Sequence, residues 1–163
     1  IAALRVKDEQ EKIVQLSEYR RDRGNSKRVV IFAGNKEMVA NSIVQSNSMS
    51  NRLVQTDLLA VPVVLEKTPQ GSIRCISTEQ NIEEVAGQPH IGLPCTLGGW
   101  NEWISSELEV ASGQGIDAYE DGIVFVIKKN GRVGQRAKGC PPWNIFIGDV
   151  EKRAELGMDV KNI

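Results

Sequence analysis

Hydrophobic residues along this chain gather into short continuous runs and longer periodic stripes, separated by stretches rich in glycine, proline and polar residues. Arg28-Val29-Val30-Ile31-Phe32-Ala33-Gly34 is a continuous apolar run closed by glycine, the pattern of a strand buried on both faces in a parallel sheet. Asn35 is placed to cap a following helix through about Asn51, with Met38, Val39, Ile43 and Val44 turned inward. Leu58 to Leu65 predicts a second apolar strand, and Pro62 within it argues for an edge or a strand start. Strand, helix and strand in this order begin a β-α-β unit with a right-handed crossover. Residues 66–99 hold three of the six prolines and read as an irregular insertion, with a short strand at Ile73-Arg74-Cys75-Ile76. Trp100, Trp103, Ile104 and Leu108 then recur at helical spacing.

The clearest strand is Gly122 to Lys129. Asn130-Gly131 after it predicts a hairpin, whose type I′ turn requires positive φ at both central residues. Arg132 to Lys138 is the expected return strand, with Arg132, Arg136 and Lys138 on one face and Val133 and Ala137 on the other. Gly139 ends it, and Pro141-Pro142 suit the first turn of a last helix carrying Trp143, Ile145, Phe146, Val150 and Leu156, with a break expected at Gly148. At the other end of the chain, Ile1 to Arg23 is expected to be a helix with a patchy apolar face of Leu4, Val6, Ile13, Val14 and Leu16, ending at Gly24.

The 163 residues suffice for one domain with a core, and 40% hydrophobic with 25% charged residues is ordinary for a globular chain. A formal net charge of -1, from 20 basic and 21 acidic residues, gives no electrostatic case for nucleic acid as partner. No apolar run approaches the roughly 20 residues of a membrane-spanning helix. The chain starts at Ile1, so a fragment or processed product is expected. The basic cluster from Arg20 to Arg28 reads as a solvated helix end or as a patch facing an anionic membrane surface.

Three widely spaced cysteines, Cys75, Cys95 and Cys140, form no disulfide framework and fit a reducing compartment. With a single histidine, His90, no zinc set of normal spacing exists, and His90 after Pro89 reads as a solvated loop residue. Gly113-Gln114-Gly115 lacks the flanking features of a phosphate loop, and Asp117, Glu120 and Asp121 read as a solvated turn before an acid pair. No cofactor or metal is expected. Cys140 has basic neighbours in Arg136 and Lys138, so it reads either as a reactive thiol or as a small buried residue at a strand-to-helix corner. Trp143 reads either as core or as an interface anchor framed by Arg132, Arg136 and Lys138.

The closing pattern of apolar strand, lysine, Asn-Gly, return strand, glycine and helix resembles the C-terminal half of thioredoxin-like proteins, and Val29 to Ala33 resembles their central strand. The resemblance implies an α/β three-layer sandwich over residues 26–163, preceded by the N-terminal helix of residues 1–25. It also implies redox cysteines just after the central strand and a cis-proline before the hairpin. The matching stretches here, Asn35 to Val39 and Asp121-Gly122-Ile123, hold neither.

Ala2 to Val6, Arg28 to Gly34, Val61 to Leu65, Trp100 and Trp103, Asp121 to Val124, Asn130 to Val133 and Gly139-Cys140-Pro141-Pro142-Trp143 together resemble the soluble C-terminal region of the Low PSII Accumulation proteins, which assist photosystem II assembly at thylakoid membranes. This resemblance implies a domain that follows a membrane anchor in its parent. It would face the stroma in a chloroplast, or the cytoplasm in a cyanobacterium, and recognise a D1-containing intermediate or another assembly factor. On this basis the chain is expected not to be an enzyme, with Arg132, Arg136, Lys138 and Trp143 beside the sheet edge as its binding face. The alternative is a divergent thioredoxin-like oxidoreductase or redox sensor using Cys140 or Cys95.

Overall fold

The expected N-terminal helix is replaced by strands and turns. In the computed structural model, which describes residues 1–158, β1 (Arg5–Lys7) pairs antiparallel with β2 (Ile13–Gln15), and Val6 lies opposite Val14. Leu4 and Val6, and Val14 and Leu16, alternate with polar residues at the two-residue period of strands, a pattern misread as a patchy helical face. The Asp8 carboxylate accepts the backbone N–H groups of Gln10 and Lys12, both at 2.9 Å, and holds the connecting turn. Two short 3₁₀ turns, Leu16–Tyr19 and Arg21–Arg23, lead to Gly24 in the left-handed region.

The main sheet follows. Its centre is β3 (Arg28–Gly34), succeeded by α1 (Lys36–Asn47), α2 (Ser50–Gln55), β4 (Leu58–Lys67) and β5 (Ile73–Ile76). A one-turn α3 (Thr78–Asn81), a 3₁₀ turn and β6 (Leu93–Cys95) fill the region expected to be irregular. The chain continues with α4 (Leu97–Gly113), the one-turn α5 (Ala118–Asp121), β7 (Ile123–Ile127), β8 (Val133–Lys138) and α6 (Trp143–Glu155). The strand order is β5-β4-β3-β7-β8, with β3 and β4 parallel and every other neighbour antiparallel. β6 pairs instead with β1, in a small sheet ordered β2-β1-β6.

All seven residues of β3 are buried because both faces of the sheet are covered. Val29, Ile31 and Ala33 pack with Trp100 and Ile104 of α4 and with Leu4, Val6, Leu16 and Tyr19 of the N-terminal segment. Val30 and Phe32 pack with Val39 and Ile43 of α1, Leu53 of α2, and Trp143 and Ile147 of α6. This gives three layers, each large apolar side chain contributing about 1.5–3 kcal/mol on burial.

Pro62 sits inside β4, not at its start. The N–H of Ala60 bonds outward to the His90 carbonyl at 2.8 Å, and pairing with β5 begins only at Val64. Pro62 shares the outward parity of Ala60, so its missing donor falls in the gap between these partners. The β7–β8 hairpin forms as expected, but by a different turn. Only Gly131 takes a positive φ, at 84°, and its N–H bonds to the Lys128 carbonyl at 2.8 Å. This is a type I turn followed by a left-handed glycine, the three-residue hairpin loop, in place of type I′.

A bulge then opposes Ile127 to Val133 but Val126 to Gln135. Val133 therefore shares the face of Arg136 and Lys138, and Arg132, outside the strand, does not. The prolines precede the last helix instead of opening it, and α6 runs through Gly148 without a break. Among the described residues no helix is long and apolar enough to cross a membrane.

Candidate functional site

The corner between β3 and α1 is built by Asn35. Its side-chain oxygen accepts from the Met38 N–H at 2.9 Å, and its amide donates to the Tyr119 carbonyl at 3.0 Å. One side chain thus caps α1 and ties it to α5. Met38 runs from this cap into the space left by two glycines. A Cβ on Gly34 would lie 2.9 Å from the Met38 sulfur, and one on Gly122 would lie 2.6 Å from it. Gly122, at φ 80°, also holds a backbone conformation that disfavours any side chain. The corner is thus filled by a thioether and contains no thiol. Gly122 stands just before β7, and no peptide bond among the described residues is cis.

The three cysteines are all unbridged, and Cys140 directly follows Gly139, whose N–H bonds to the Gly122 carbonyl of this corner at 2.9 Å. Cys75 is buried on β5, where desolvation pushes its thiol up to about 12. Cys95 on β6 is half-buried opposite Arg5; desolvation raises its thiol, opposed by a hydrogen bond with Thr96 and by the charges of Arg5 and Lys7. Cys140 is exposed, between Gly139 at φ 103° and Pro141. Of the two readings the sequence left open for it, a buried corner residue is excluded.

The expected binding face divides. Trp143 is 2% exposed, donates its indole N–H to the Ser42 carbonyl at 3.0 Å, and meets Phe32 edge-to-face at 5.4 Å. It is a core residue joining α6 to α1, not the surface anchor expected beside Arg132, Arg136 and Lys138. Arg136 and Lys138 are exposed on the α4 side of the sheet, where they pair with Glu107 at 3.3 Å and Asp121 at 3.8 Å. Arg132 lies in the turn, its N–H held by the Asn130 side chain at 2.9 Å. The basic cluster is split as well. Arg21 and Arg23 are exposed, whereas Arg28 is buried as the first residue of β3.

His90 is not a solvated loop residue. It is 1% exposed, with Nε2 2.9 Å from the Ser46 hydroxyl. That hydroxyl donates to the Ile43 carbonyl at 2.7 Å, so it accepts from the imidazole, which carries its proton on Nε2. Nδ1 has no hydrogen-bond partner among the described residues. Burial lowers its pKa to about 4, so the ring is neutral. No sequence signal separated this histidine from a loop residue, because Ser46 is 44 positions away. Asp117 caps α5 by accepting from the Glu120 N–H at 3.3 Å. Among the described residues no three His, Cys, Asp or Glu side chains cluster as metal ligands.

Neither a protein-family model nor any curated protein matches the chain. Solved structures do. A mitochondrial 2-Cys peroxiredoxin from Plasmodium falciparum superposes with a TM-score of 0.56 at 15% identity, over 94% of this chain and 90% of that one. The fold is thioredoxin-like. BsSco, of the Sco family of cytochrome c oxidase assembly proteins, gives 0.53 at 11% identity, over 93% and 91% of the two chains. A Chlorobium tepidum protein named as a thiol:disulfide interchange protein, DsbE, gives 0.51 at 15% identity, over 97% and 95%. The expectation that the chain is not an enzyme is corrected by these neighbours. Two of them are by name a peroxiredoxin and a thiol:disulfide interchange protein, so the architecture itself gives no argument against catalysis.

Proposed function

We propose that the chain is a thiol-based redox protein of thioredoxin-like fold, an oxidoreductase or redox sensor that reacts through Cys140. The observation carrying this reading is the exposure of Cys140 at the corner before α6, while Cys75 is buried and Cys95 half-buried. In the reaction, the Cys140 thiol loses its proton to solvent and the thiolate attacks a disulfide of a partner protein. A mixed disulfide forms, and the partner's second sulfur leaves as thiolate. A thiol from solution then attacks the Cys140 sulfur, forms a disulfide with it, and releases the partner's first sulfur as thiolate, so the partner is reduced and Cys140 is left oxidised. Cys95, beside Arg5 and Lys7, is the alternative nucleophile. The test is reaction with an aromatic disulfide reagent at neutral pH. One fast equivalent is expected, lost in Cys140→Ser and kept in Cys95→Ser. Three cysteines that react more slowly than free cysteine sink the proposal.

A second reading is favoured by the sequence resemblance to Low PSII Accumulation proteins and by the fold shared with an assembly protein of the Sco family. In it the chain belongs to a photosystem II assembly factor at the thylakoid membrane, on its stromal or cyanobacterial cytoplasmic side, held there by membrane segments outside this sequence. It engages a D1-containing intermediate or another assembly factor through the edge strand β8 and the exposed Arg136 and Lys138. Affinity capture from solubilised thylakoids tests it: photosystem II subunits are expected on the immobilised chain and fewer on Arg136→Glu. Capture of no photosystem component ends this reading.

A further inference from the structure

The main sheet ends in two edge strands, and the fold treats them differently. On β5 the outward N–H of Cys75 donates to the Asn101 side chain of α4 at 2.6 Å. β8 pairs with β7 alone. Just past β8 the Gly139 N–H bonds to the Gly122 carbonyl at 2.9 Å, in register with Lys138 opposite Ile123. Antiparallel bonding alternates along a strand, so Ala137 and Gln135 turn their backbone groups to β7, and Lys138 and Arg136 turn theirs outward. Among the described residues nothing hydrogen-bonds those outward donors and acceptors. An open edge of this kind accepts a further strand.

Charge selects what can add. From Lys128 to Cys140 the chain holds five basic residues and no acidic one. Lys129 is buried against Asp57, which leaves Lys128, Arg132, Arg136 and Lys138 exposed. Glu107 and Asp121 offset part of this charge, at 3.3 Å from Arg136 and 3.8 Å from Lys138. Self-pairing of two copies about Arg136 would set this arginine opposite itself, and like charges directly opposite destabilise a pair of strands. A strand with carboxylates at alternate positions instead meets Arg136 and Lys138 with opposite charge on one face. The edge also leads somewhere: Cys140 is exposed and follows β8 with Gly139 alone between them.

We propose that β8 is the docking edge for an extended acidic segment of a partner protein, added antiparallel with carboxylates opposite Arg136 and Lys138. In this register the residue two positions before the carboxylate facing Lys138 lies level with Cys140. Delivery of a disulfide-bonded cysteine at that position rests on Cys140 being the reactive thiol. The Cys140 thiolate attacks its sulfur, and the other half of the disulfide leaves as thiolate. The docking itself does not need the thiol.

The probe is a peptide that alternates glutamate with valine and threonine and carries a cysteine two positions before its first glutamate. In an amide NMR titration of full-length Cys140→Ser, it is expected to shift the Arg136 and Lys138 resonances saturably. Exchanging its glutamates for lysines is expected to abolish the shifts. Methylating the two glutamate amides, which removes ladder donors and keeps the charge, is expected to weaken binding about tenfold. Arg136→Glu is expected to weaken it about fivefold. No saturable shift, equal affinity for the lysine peptide, or indifference to methylation overturns the docking, as does self-association of the chain through β8. With the cysteine activated as its thionitrobenzoate disulfide, the acidic peptide is expected to react with the native chain faster than the lysine peptide. Arg136→Glu is expected to remove that preference while leaving the rate with a small aromatic disulfide unchanged. Equal rates for the two peptides overturn delivery to Cys140. Saturable binding with Cys140 inert even to the small disulfide upholds the docking and ends the thiol reading.

Discussion

His90 shows what one residue's surroundings do to its chemistry. The ring is enclosed with one hydrogen bond, to Ser46, and its pKa falls from 6.5 to about 4 through burial. Between these values the unfolded chain binds a proton that the folded chain refuses. The contribution of His90 is therefore full above pH 6.5, declines as pH falls from 6.5 to about 4, and is lost below that. The size of the effect is on the order of 3 kcal/mol at most. Urea midpoints measured across this range are expected to fall with acidity in the native chain and to fall less in His90→Gln, which leaves no titrating group. Equal slopes for both proteins contradict the assignment. The three cysteines make the same point. One side chain type is buried at β5, half-buried at β6 and exposed before α6, and nothing in the local sequence ranks them.

Among the elements, the β3–α1 corner concentrates the most consequence in one side chain. Asn35 caps α1 and also bonds to the Tyr119 carbonyl, joining helix, sheet and α5. Asn35→Ala removes both bonds. It is expected to cost about 1–2 kcal/mol, the upper part of the range for an N-cap, because the Tyr119 tie is lost with it. Denaturant unfolding with an unchanged m-value measures this, and a loss below a few tenths of a kcal/mol refutes the coupling. The β7–β8 hairpin illustrates a different limit. Asn-Gly correctly marks a hairpin, but the loop chose a type I turn with Gly131 left-handed. The bulge after it then exchanged the faces of Arg132 and Val133. A single extra residue in a ladder reverses side-chain parity, so a face assigned by counting fails beyond it.

For the molecule as a whole, the N-terminal segment is structural. Leu4, Val6, Leu16 and Tyr19 complete the core on the α4 face, and the Trp100 indole donates to the Arg5 carbonyl at 2.8 Å. Deleting residues 1–19 uncovers Trp100, which is fully buried in the intact chain. The truncated chain is expected to show a red-shifted tryptophan emission and a melting temperature lower by at least about 10 °C, since several core side chains at about 1.5–3 kcal/mol each are removed. Unchanged emission and melting would falsify the role assigned to this segment.

The sequence by itself determined the sheet. Arg28 to Gly34, Leu58 to Leu65 and Ile123 to Ile127 are continuous apolar runs, and a strand covered on both faces has no other way to be written. It also determined the cap at Asn35, the helix of Trp100 and Ile104, and the absence of a thiol after β3, because each is local in sequence. Tertiary structure alone decided which residues meet. β1 owes its strand form to β2 and β6, and β6 lies nearly ninety positions away along the chain. Trp143 became core because Ser42 of α1 and Phe32 of β3 lie on the face that α6 covers, and His90 became buried because Ser46 of α1 lies against it. Arg28, Lys128 and Arg153 share no sequence neighbourhood, and the pairing of β3 with β7 together with the packing of α6 on the sheet brings them to one cleft. Periodicity reports whether a residue faces inward, whereas burial, pairing and charge depend on what the rest of the chain places opposite it.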